Sequence, residues 1–106
     1  MIKKRKGVWF YGLSGSGKSY ASGLLNNHID SAFVVDGDDV RKYVSADLGY
    51  TQAERSVQIN RILGIARIAL INELFPIVSS VTMNSQVLNV CKINSIEVIE
   101  LIRPVD

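Results

Sequence analysis

A glycine-rich segment near the start of the chain has the residue types and spacing of a phosphate-binding loop. Residues 12–19 read GLSGSGKS and match the pattern G-x-x-x-x-G-K-[ST] at every fixed position. Glycines let the backbone wrap closely around an anion, and a helix beginning near Lys18 adds the partial positive charge of its N-terminus. We expect Lys18 to reach the β- and γ-phosphates of a nucleoside triphosphate and the Ser19 hydroxyl to ligate Mg²⁺.

The whole segment is assigned to triphosphate binding. A dinucleotide-binding pattern, G-x-G-x-x-G, does not fit, because serine and tyrosine stand at positions 14 and 20, where it would need glycine. The predicted cofactor-binding residues are therefore Gly12, Ser14, Gly15, Ser16, Gly17, Lys18 and Ser19.

An acidic cluster, DGDD at residues 36–39, follows the second apolar run of the chain. Such clusters are often simple turns. This one stands at the end of a predicted strand, and the carboxyl ends of strands are where α/β sheets bind ligands. A carboxylate there can support a magnesium ion or accept a proton from an attacking hydroxyl, so we predict a functional role for Asp36 or Asp38.

The elements that must position these residues alternate between strand and helix. Strands are predicted over 8–11, 32–35, 77–81 and 96–102, the last closed by Arg103 and Pro104. Helices are predicted over 18–27, over 39–46, and from a capping box at Thr51 and Glu54 to about residue 74, while 84–91 is ambiguous. The apolar 62–71 segment is expected to be buried on more than one side. This order predicts an α/β fold, a parallel sheet flanked by helices, as one domain over 1–106.

Composition excludes several classes of protein. With 106 residues, 47% hydrophobic and 21% charged, the chain is neither disordered nor fibrous. One cysteine and one histidine exclude a disulfide framework and a zinc knuckle built from those residues. A net charge of +2 is too small to indicate a nucleic-acid partner. The 62–71 segment is too short to span a bilayer, so we expect a cytoplasmic protein without a membrane partner.

Three segments together resemble one family, the adenylylsulfate kinases. They are VWFYGLSGSGKS at 8–19, DGDDVR at 36–41, and DLGY followed by ER within 47–55. The resemblance implies a P-loop NTPase-type fold, ATP and Mg²⁺ as cofactors, and transfer of a phosphoryl group to the ribose 3′-hydroxyl of adenylylsulfate. It also makes a homodimer a reasonable expectation.

The resemblance further implies roles for individual residues. Asp38 would act near the attacking hydroxyl as base or orienting group, and Asp36 would support the metal together with Ser19. Arg41 and Arg55 would grip the anionic groups of the acceptor nucleotide, and the Tyr50 ring would stack on its base. Two simpler readings stay open: both arginines as surface helix charges, and Tyr50 as a cap over the core.

The chain departs from the family pattern on the acceptor side. Gln58, which we include among the acceptor-binding residues, stands where the family usually has asparagine, and Asn60-Arg61 stands where it often has two arginines. Residues 82–86, TMNSQ, replace a serine-proline segment with an arginine. The donor side is thus retained while the acceptor side is altered.

These departures leave three hypotheses. The first is an adenylylsulfate-kinase-like enzyme that phosphorylates a small nucleotide acceptor. The second is a kinase that acts on cytidine diphosphoramidate in bacterial capsule modification. The third is a non-catalytic nucleotide-binding module or a truncated kinase remnant, because family members continue into a mobile lid and further strands that this chain is expected to lack.

Overall fold

The fold alternates strands and helices as the sequence predicts. A computed structural model describes residues 4–13 and 15–102. In chain order the elements are β1 (Gly7–Tyr11), α1 (Lys18–Asn26), β2 (Ala32–Asp36), α2 (Gly37–Tyr43), α3 (Gln52–Ile71), β3 (Phe75–Ser80), α4 (Ser85–Ile93) and β4 (Ile96–Glu100). The expected α/β architecture, a parallel sheet flanked by helices, is confirmed.

The strand order places three functional segments at one edge of the sheet. The four strands are parallel and lie in the order β2-β3-β1-β4. The last residue of β1, Tyr11, pairs with Ser80, and the last residue of β2, Asp36, pairs with Ser79. The phosphate loop after β1 and the acidic cluster after β2 therefore flank the end of β3.

The core lies on one face of the sheet, beneath α2, α3 and α4. Trp9, Val35 and Val78 of the strands pack there against Ile62 and Ala66 of α3. The alternate strand positions point to the opposite face, where α1 lies beside β2 and β3.

Several predicted boundaries were wrong by two or three residues. α2 begins at Gly37 instead of 39, because the Asp36 side chain already caps it, and it ends at Tyr43. α3 ends at Ile71 instead of 74, and β3 begins at Phe75 instead of 77. The ambiguous 84–91 segment forms α4, capped by Asn84. β4 ends at residue 100, and residues 103 and 104, expected to close it, lie outside the described part of the chain.

The start of β3 tolerates a proline because its neighbour leaves room. Pro76 is paired with Phe33 of β2 but precedes the first pair of β1 and β3, Val8 with Ile77, so the amide hydrogen that proline lacks is not needed on the β1 side. A Cβ at Gly7 would lie only 2.8 Å from Pro76 Cγ. Glycine at position 7 thus lets the two strands approach.

Helix α3 is the longest element and positions much of the site. Its predicted capping box is confirmed: Thr51 Oγ1 accepts from the Glu54 amide, and Glu54 Oε1 accepts from the Thr51 amide. The expectation that the 62–71 segment is buried on more than one side was wrong, since Ile68 and Ile71 are exposed. No helix in the described part of the chain is long and apolar enough to cross a membrane.

Candidate active site

The phosphate loop joins β1 to α1 and depends on glycine backbone geometry. Gly17, the N-cap of α1, has φ 99°, and no side chain caps that helix end. A Cβ at Gly12 would overlap the Leu101 carbonyl oxygen. Ser16 Oγ is buried and has no hydrogen-bond partner in the described structure, so the loop holds a donor suited to a bound anion. Ser14 lies outside the described residues.

Lys18 stands at the junction between the loop and the rest of the site. Its Nζ donates to the carbonyl oxygens of Gly12 and Leu13, the latter at 3.2 Å. The side chain therefore lies along the loop and also lines the main cavity.

The main cavity opens at the edge of the sheet where β2 and β3 end and has a volume of about 270 Å³. Ile59, Ile62 and the end of β3 supply part of its wall. It brings together every predicted catalytic and acceptor-binding residue, namely Lys18, Asp36, Asp38, Arg41, Tyr50, Arg55 and Gln58.

The acidic cluster is fixed by its own helix cap and by a close contact with β3. Asp36 Oδ1 accepts from the Asp38 amide at 2.8 Å, which starts α2 directly after β2. A Cβ at Gly37 would lie 2.9 Å from the Ser79 carbonyl oxygen, so glycine lets α2 begin here without displacing β3. This packing leaves the second oxygen of Asp36 for another partner and sets Asp38, an exposed side chain, at the cavity.

Ser19 and Asp36, the two predicted metal-binding residues, meet in a second cavity. It has a volume of about 180 Å³ and lies between α1 and the ends of β2 and β3. A hydroxyl and a carboxylate are the oxygen donors that Mg²⁺ prefers, and Mg²⁺ characteristically takes few protein ligands and completes its shell with water and substrate phosphates. The residues present fit that ion.

The loop between α2 and α3, residues 44–51, carries Tyr50 and is held by Arg41. Arg41 Nη1 donates to the carbonyl oxygens of Leu48 and Gly49, at 3.4 and 3.0 Å. Its guanidinium lies 4.4 Å from the centre of the Tyr50 ring. Tyr50 is 69% exposed, so the alternative that it caps the core was wrong.

Two further charged residues of α3 hold the 44–51 loop. Glu54 Oε2 accepts from the Gly49 amide at 2.6 Å, and this bond, with those from Thr51, lowers the pKa of Glu54. Arg55 Nε donates to the Tyr50 carbonyl oxygen at 3.0 Å. The two Nη atoms of Arg55 have no partner among the described residues, so this arginine offers a free guanidinium edge at the cavity.

Arg61, noted in the sequence as a departure from the family pattern, does not line the cavity. It forms a two-point ion pair with Asp47 and also reaches the buried Ser45 hydroxyl at 3.3 Å. The hydrogen bond from Arg61 lowers the pKa of Asp47. Arg61 therefore holds the 44–51 loop through contacts that lie outside the main cavity.

Gln58 is buried in the cavity wall, with 7% of its surface exposed. Its Nε2 donates to the Gly37 carbonyl oxygen at 3.1 Å, which ties α3 to the start of α2. Its Oε1 is buried and has no hydrogen-bond partner in the described structure.

The sequence did not reveal that the end of β3 belongs to the site. Trp9 Nε1 donates to Ser80 Oγ at 2.8 Å, and Ser80 Oγ donates to the Thr82 carbonyl oxygen at 2.7 Å. The Ser80 carbonyl oxygen accepts from the Gly12 amide at 3.1 Å, so the same residue anchors the phosphate loop. The signal was available, because the end of a parallel strand beside the phosphate loop must face the ligand.

A glycine-rich loop with the phosphate-binding pattern after β1 and an acidic strand end after β2, on either side of β3 in a parallel sheet, define a P-loop NTPase-type fold. The family model described as adenylylsulphate kinase matches residues 4–101. The chain belongs to that family, and the resemblance predicted from its sequence is confirmed.

Individual relatives agree with this assignment. The chain is 43% identical over 65 residues to the bifunctional enzyme CysN/CysC of Mycobacterium tuberculosis, covering 58% of this chain and 11% of that protein. It is 42% identical over 64 residues to the adenylyl-sulfate kinase of Myxococcus xanthus, covering 58% and 35% respectively. The chain thus spans about a third, or less, of the length of these curated relatives.

The fold agrees with a solved structure of the family. The M. tuberculosis APS kinase CysC in complex with AMPPNP and APS aligns with a TM-score of 0.71 and 30% identity. The alignment covers 93% of this chain and 62% of that one. The P-loop fold predicted from the sequence is confirmed.

Proposed function

We propose that this chain is an ATP-dependent kinase that transfers the γ-phosphoryl group to a hydroxyl of a small nucleotide acceptor. The observation that carries the proposal is the main cavity. It joins Lys18 of the phosphate loop, the Asp38 carboxylate and two arginines beside an exposed aromatic ring. A donor site and an acceptor site therefore share one space.

On the donor side, the loop amides and the start of α1 would hold the phosphates of ATP. Lys18 would exchange its bonds to the Gly12 and Leu13 carbonyl oxygens for bonds to the β- and γ-phosphates. Ser19 and Asp36 would hold Mg²⁺, which neutralises phosphate charge when bound.

On the acceptor side, Asp38 would act on the attacking hydroxyl, because its exposed side chain lines the main cavity. The hydroxyl oxygen forms a bond to the γ-phosphorus, the bond from that phosphorus to the β–γ bridging oxygen breaks, and ADP leaves. The hydroxyl proton passes to the Asp38 carboxylate. Positioning and charge neutralisation, by the loop and Lys18, supply most of the rate enhancement.

The two arginines would divide the work of binding the acceptor. Arg55 keeps both Nη atoms for the acceptor's anionic groups, because only its Nε is used within the protein. One Nη atom of Arg41 already donates to the 44–51 loop, and the guanidinium lies against the Tyr50 ring. The acceptor base would stack on that ring. This division makes Arg55 the principal anion-binding group.

Adenylylsulfate is the acceptor that the family relationship favours. The related M. tuberculosis enzyme is described in complex with APS, and 30% identity over nearly the whole chain supports a similar substrate. Cytidine diphosphoramidate is the second candidate acceptor. The altered acceptor-side residues, Gln58 and the 82–86 segment, are consistent with a changed acceptor and do not decide between the two candidates.

The rival from another class is a nucleotide-binding module without catalysis. The test is a side-by-side assay in which the purified chain receives ATP and Mg²⁺ with adenylylsulfate, with cytidine diphosphoramidate, or with neither. Formation of ADP that depends on one acceptor supports the proposal. ATP binding without phosphorylation of either acceptor would favour the module. Cytoplasmic location and a homodimer belong to the same proposal, and light scattering tests the dimer.

A further inference from the structure

The second cavity, between α1 and the ends of β2 and β3, contains a polar group that the donor site does not use. It is lined by Ser19 and Asp36 and also by two buried serines, Ser22 and Ser79, with 6% and 7% of their surface exposed. The Ser22 hydroxyl oxygen has less than 1 Å² of accessible surface and no hydrogen-bond partner in the described structure. An unsatisfied hydroxyl therefore lies in the same cavity as the two predicted metal-binding residues.

This unpartnered hydroxyl is unusual for a serine within a helix. Such a serine commonly faces solvent or donates to the carbonyl oxygen four residues earlier, and Ser22 does neither. A buried hydroxyl without a partner is destabilising, so it gains a hydrogen bond wherever one is supplied. Because Oγ makes no hydrogen bond, it can change between its staggered χ1 positions without breaking one. The Ser22 hydroxyl is therefore available to a bound molecule.

The charge and the size of the cavity suit a hydrated cation. Of the described residues that line it, Asp36 alone is charged, which disfavours an anion. The cavity volume is about 180 Å³, whereas a water molecule occupies roughly 30 Å³ in the liquid. Mg²⁺ loses its waters reluctantly and keeps several of them when bound to a protein. The cavity thus has room for an ion together with part of its hydration shell.

One face of α1 borders this cavity. Ser19, Ser22, Gly23 and Asn26 all line it, at intervals of three or four residues that place them on the same side of the helix. An added Cβ at Gly23 would have no atom within 4 Å. Alanine is more favourable than glycine within a helix, so helix formation does not explain glycine at this position. Glycine leaves open space next to the residue that carries the free hydroxyl.

Resting on the proposed function, we infer that Ser22 is a positioning residue for the divalent cation. Its hydroxyl accepts a hydrogen bond from a water of the cation's hydration shell, while Ser19 and Asp36 contact the cation itself. The hydroxyl oxygen has acceptor capacity that nothing else in the described structure uses. Ser22 does not touch the substrate. It strengthens the coupling between cation binding and nucleotide binding.

The experiment measures how strongly Mg²⁺ tightens nucleotide binding. The Kd for AMPPNP, an ATP analogue that cannot transfer its γ-phosphoryl group, is determined by isothermal titration calorimetry in saturating Mg²⁺ and in EDTA. The Kd in EDTA divided by the Kd in Mg²⁺ is the coupling ratio of the two ligands. It is determined for wild type, for Ser22→Ala and Gly23→Ala, and for the matched controls Ser56→Ala and Gly64→Ala, both exposed on α3.

We expect Ser22→Ala to lower the coupling ratio about three- to tenfold and to leave the Kd in EDTA within about twofold, because one hydrogen bond to the hydrated cation is lost. Gly23→Ala should also lower the ratio, because the methyl group takes up space needed by water. It should raise the midpoint of urea unfolding, since alanine favours the helix. A weaker coupling in a more stable protein is not a folding defect. Ser56→Ala and Gly64→Ala should keep the wild-type ratio.

A wild-type coupling ratio in either Ser22→Ala or Gly23→Ala would overturn the inference and leave the kinase proposal standing. An equal loss of AMPPNP affinity in Mg²⁺ and in EDTA gives such a ratio and would show that Ser22 supports the phosphate loop instead. A wild-type chain that does not bind AMPPNP, or binds it equally in Mg²⁺ and in EDTA, would contradict the donor side of the proposed function. The two failures are distinguishable, because one appears in the variants and the other in the wild-type chain.

Discussion

The guanidinium of Arg61 meets the carboxylate of Asp47 at two points, Nη1 to Oδ1 at 2.7 Å and Nη2 to Oδ2 at 3.1 Å. Asp47 lies within the connection from α2 to α3, and Arg61 lies in the middle of α3. Their ion pair fixes the 44–51 loop at its outer side, while Arg41 and Glu54 fix it at the cavity side. The loop that carries Tyr50 is thus held by side chains from both neighbouring helices.

Breaking this ion pair should weaken acceptor binding more than it weakens folding. Exposed ion pairs contribute little to stability, so Asp47→Asn should fold normally. We expect its KM for the acceptor to rise up to about fivefold with an unchanged KM for ATP. Glu97→Gln, which breaks the Arg5–Glu97 pair, is the control and should change neither. Equal increases in both KM values would show that the pair acts on the whole domain.

The lowered pKa of Glu54 predicts that the stability of the folded protein depends on pH. Its pKa is lowered in the folded protein, first by the bond from the Gly49 amide. The stabilisation is therefore fully present above its ordinary value of 4.5 and is lost as the pH falls through the lower, folded value. Urea unfolding should show a smaller loss of stability on acidification for Glu54→Gln than for wild type, whereas the exposed control Glu73→Gln should follow wild type. If the free energy of unfolding fell equally with pH in wild type, Glu54→Gln and Glu73→Gln, the predicted contribution of Glu54 would be contradicted.

Lys18→Ala should remove turnover. Under the proposed function the ammonium neutralises charge on the transferred phosphoryl group, so we expect kcat to fall by roughly 100-fold or more. The exposed control Lys92→Ala, on α4, should keep full activity. Full activity in Lys18→Ala, measured as acceptor-dependent ADP formation, would refute the assignment of the loop.

Asp38→Asn should separate chemistry from binding. Asparagine keeps the size of the side chain but cannot take up the hydroxyl proton, so turnover should fall by roughly 100-fold or more while the Kd for ATP stays within about twofold. Asp39→Asn, the next residue of α2, lies outside the cavity and should behave as wild type. Equal losses of turnover and ATP binding would indicate a purely structural aspartate.

Two glycines should respond to alanine in opposite directions. At Gly37 a methyl group would lie 2.9 Å from the Ser79 carbonyl oxygen, so Gly37→Ala should reduce the free energy of unfolding by about 1–3 kcal/mol. At Gly64, within α3, nothing lies within 4 Å, and Gly64→Ala should increase it by about 0.5–1 kcal/mol. Denaturant unfolding checks both, and a stable Gly37→Ala would show that α2 can move from β3.

The parts of the molecule predicted from sequence are those with local signals. The phosphate loop and the capping box at Thr51 and Glu54 are fixed by residues within a few positions of each other, and the capping box forms as expected. The predicted boundaries of helices and strands were wrong where one residue belongs to two neighbouring elements. Asp36 ends β2 and also caps α2, so the helix starts earlier than the pattern predicts.

The parts that escaped prediction depend on contacts distant in sequence. The Trp9–Ser80 hydrogen bond joins residues 71 positions apart, and only the strand order brings them together. The exposure of Ile68 and Ile71 follows from which side of α3 faces the sheet, a choice that an evenly apolar segment does not reveal. Arg61 was noticed, but its partner lies in a loop whose path the sequence does not specify.

The buried Trp9 has a practical consequence. It is the one tryptophan of the chain, is 0% exposed, and hydrogen-bonds the residue that anchors both the phosphate loop and the turn after β3. Its fluorescence therefore comes from a single known place, directly behind the ligand site. The protein carries a built-in optical reporter: emission spectra recorded during nucleotide titration or unfolding will follow the site itself, without any attached dye.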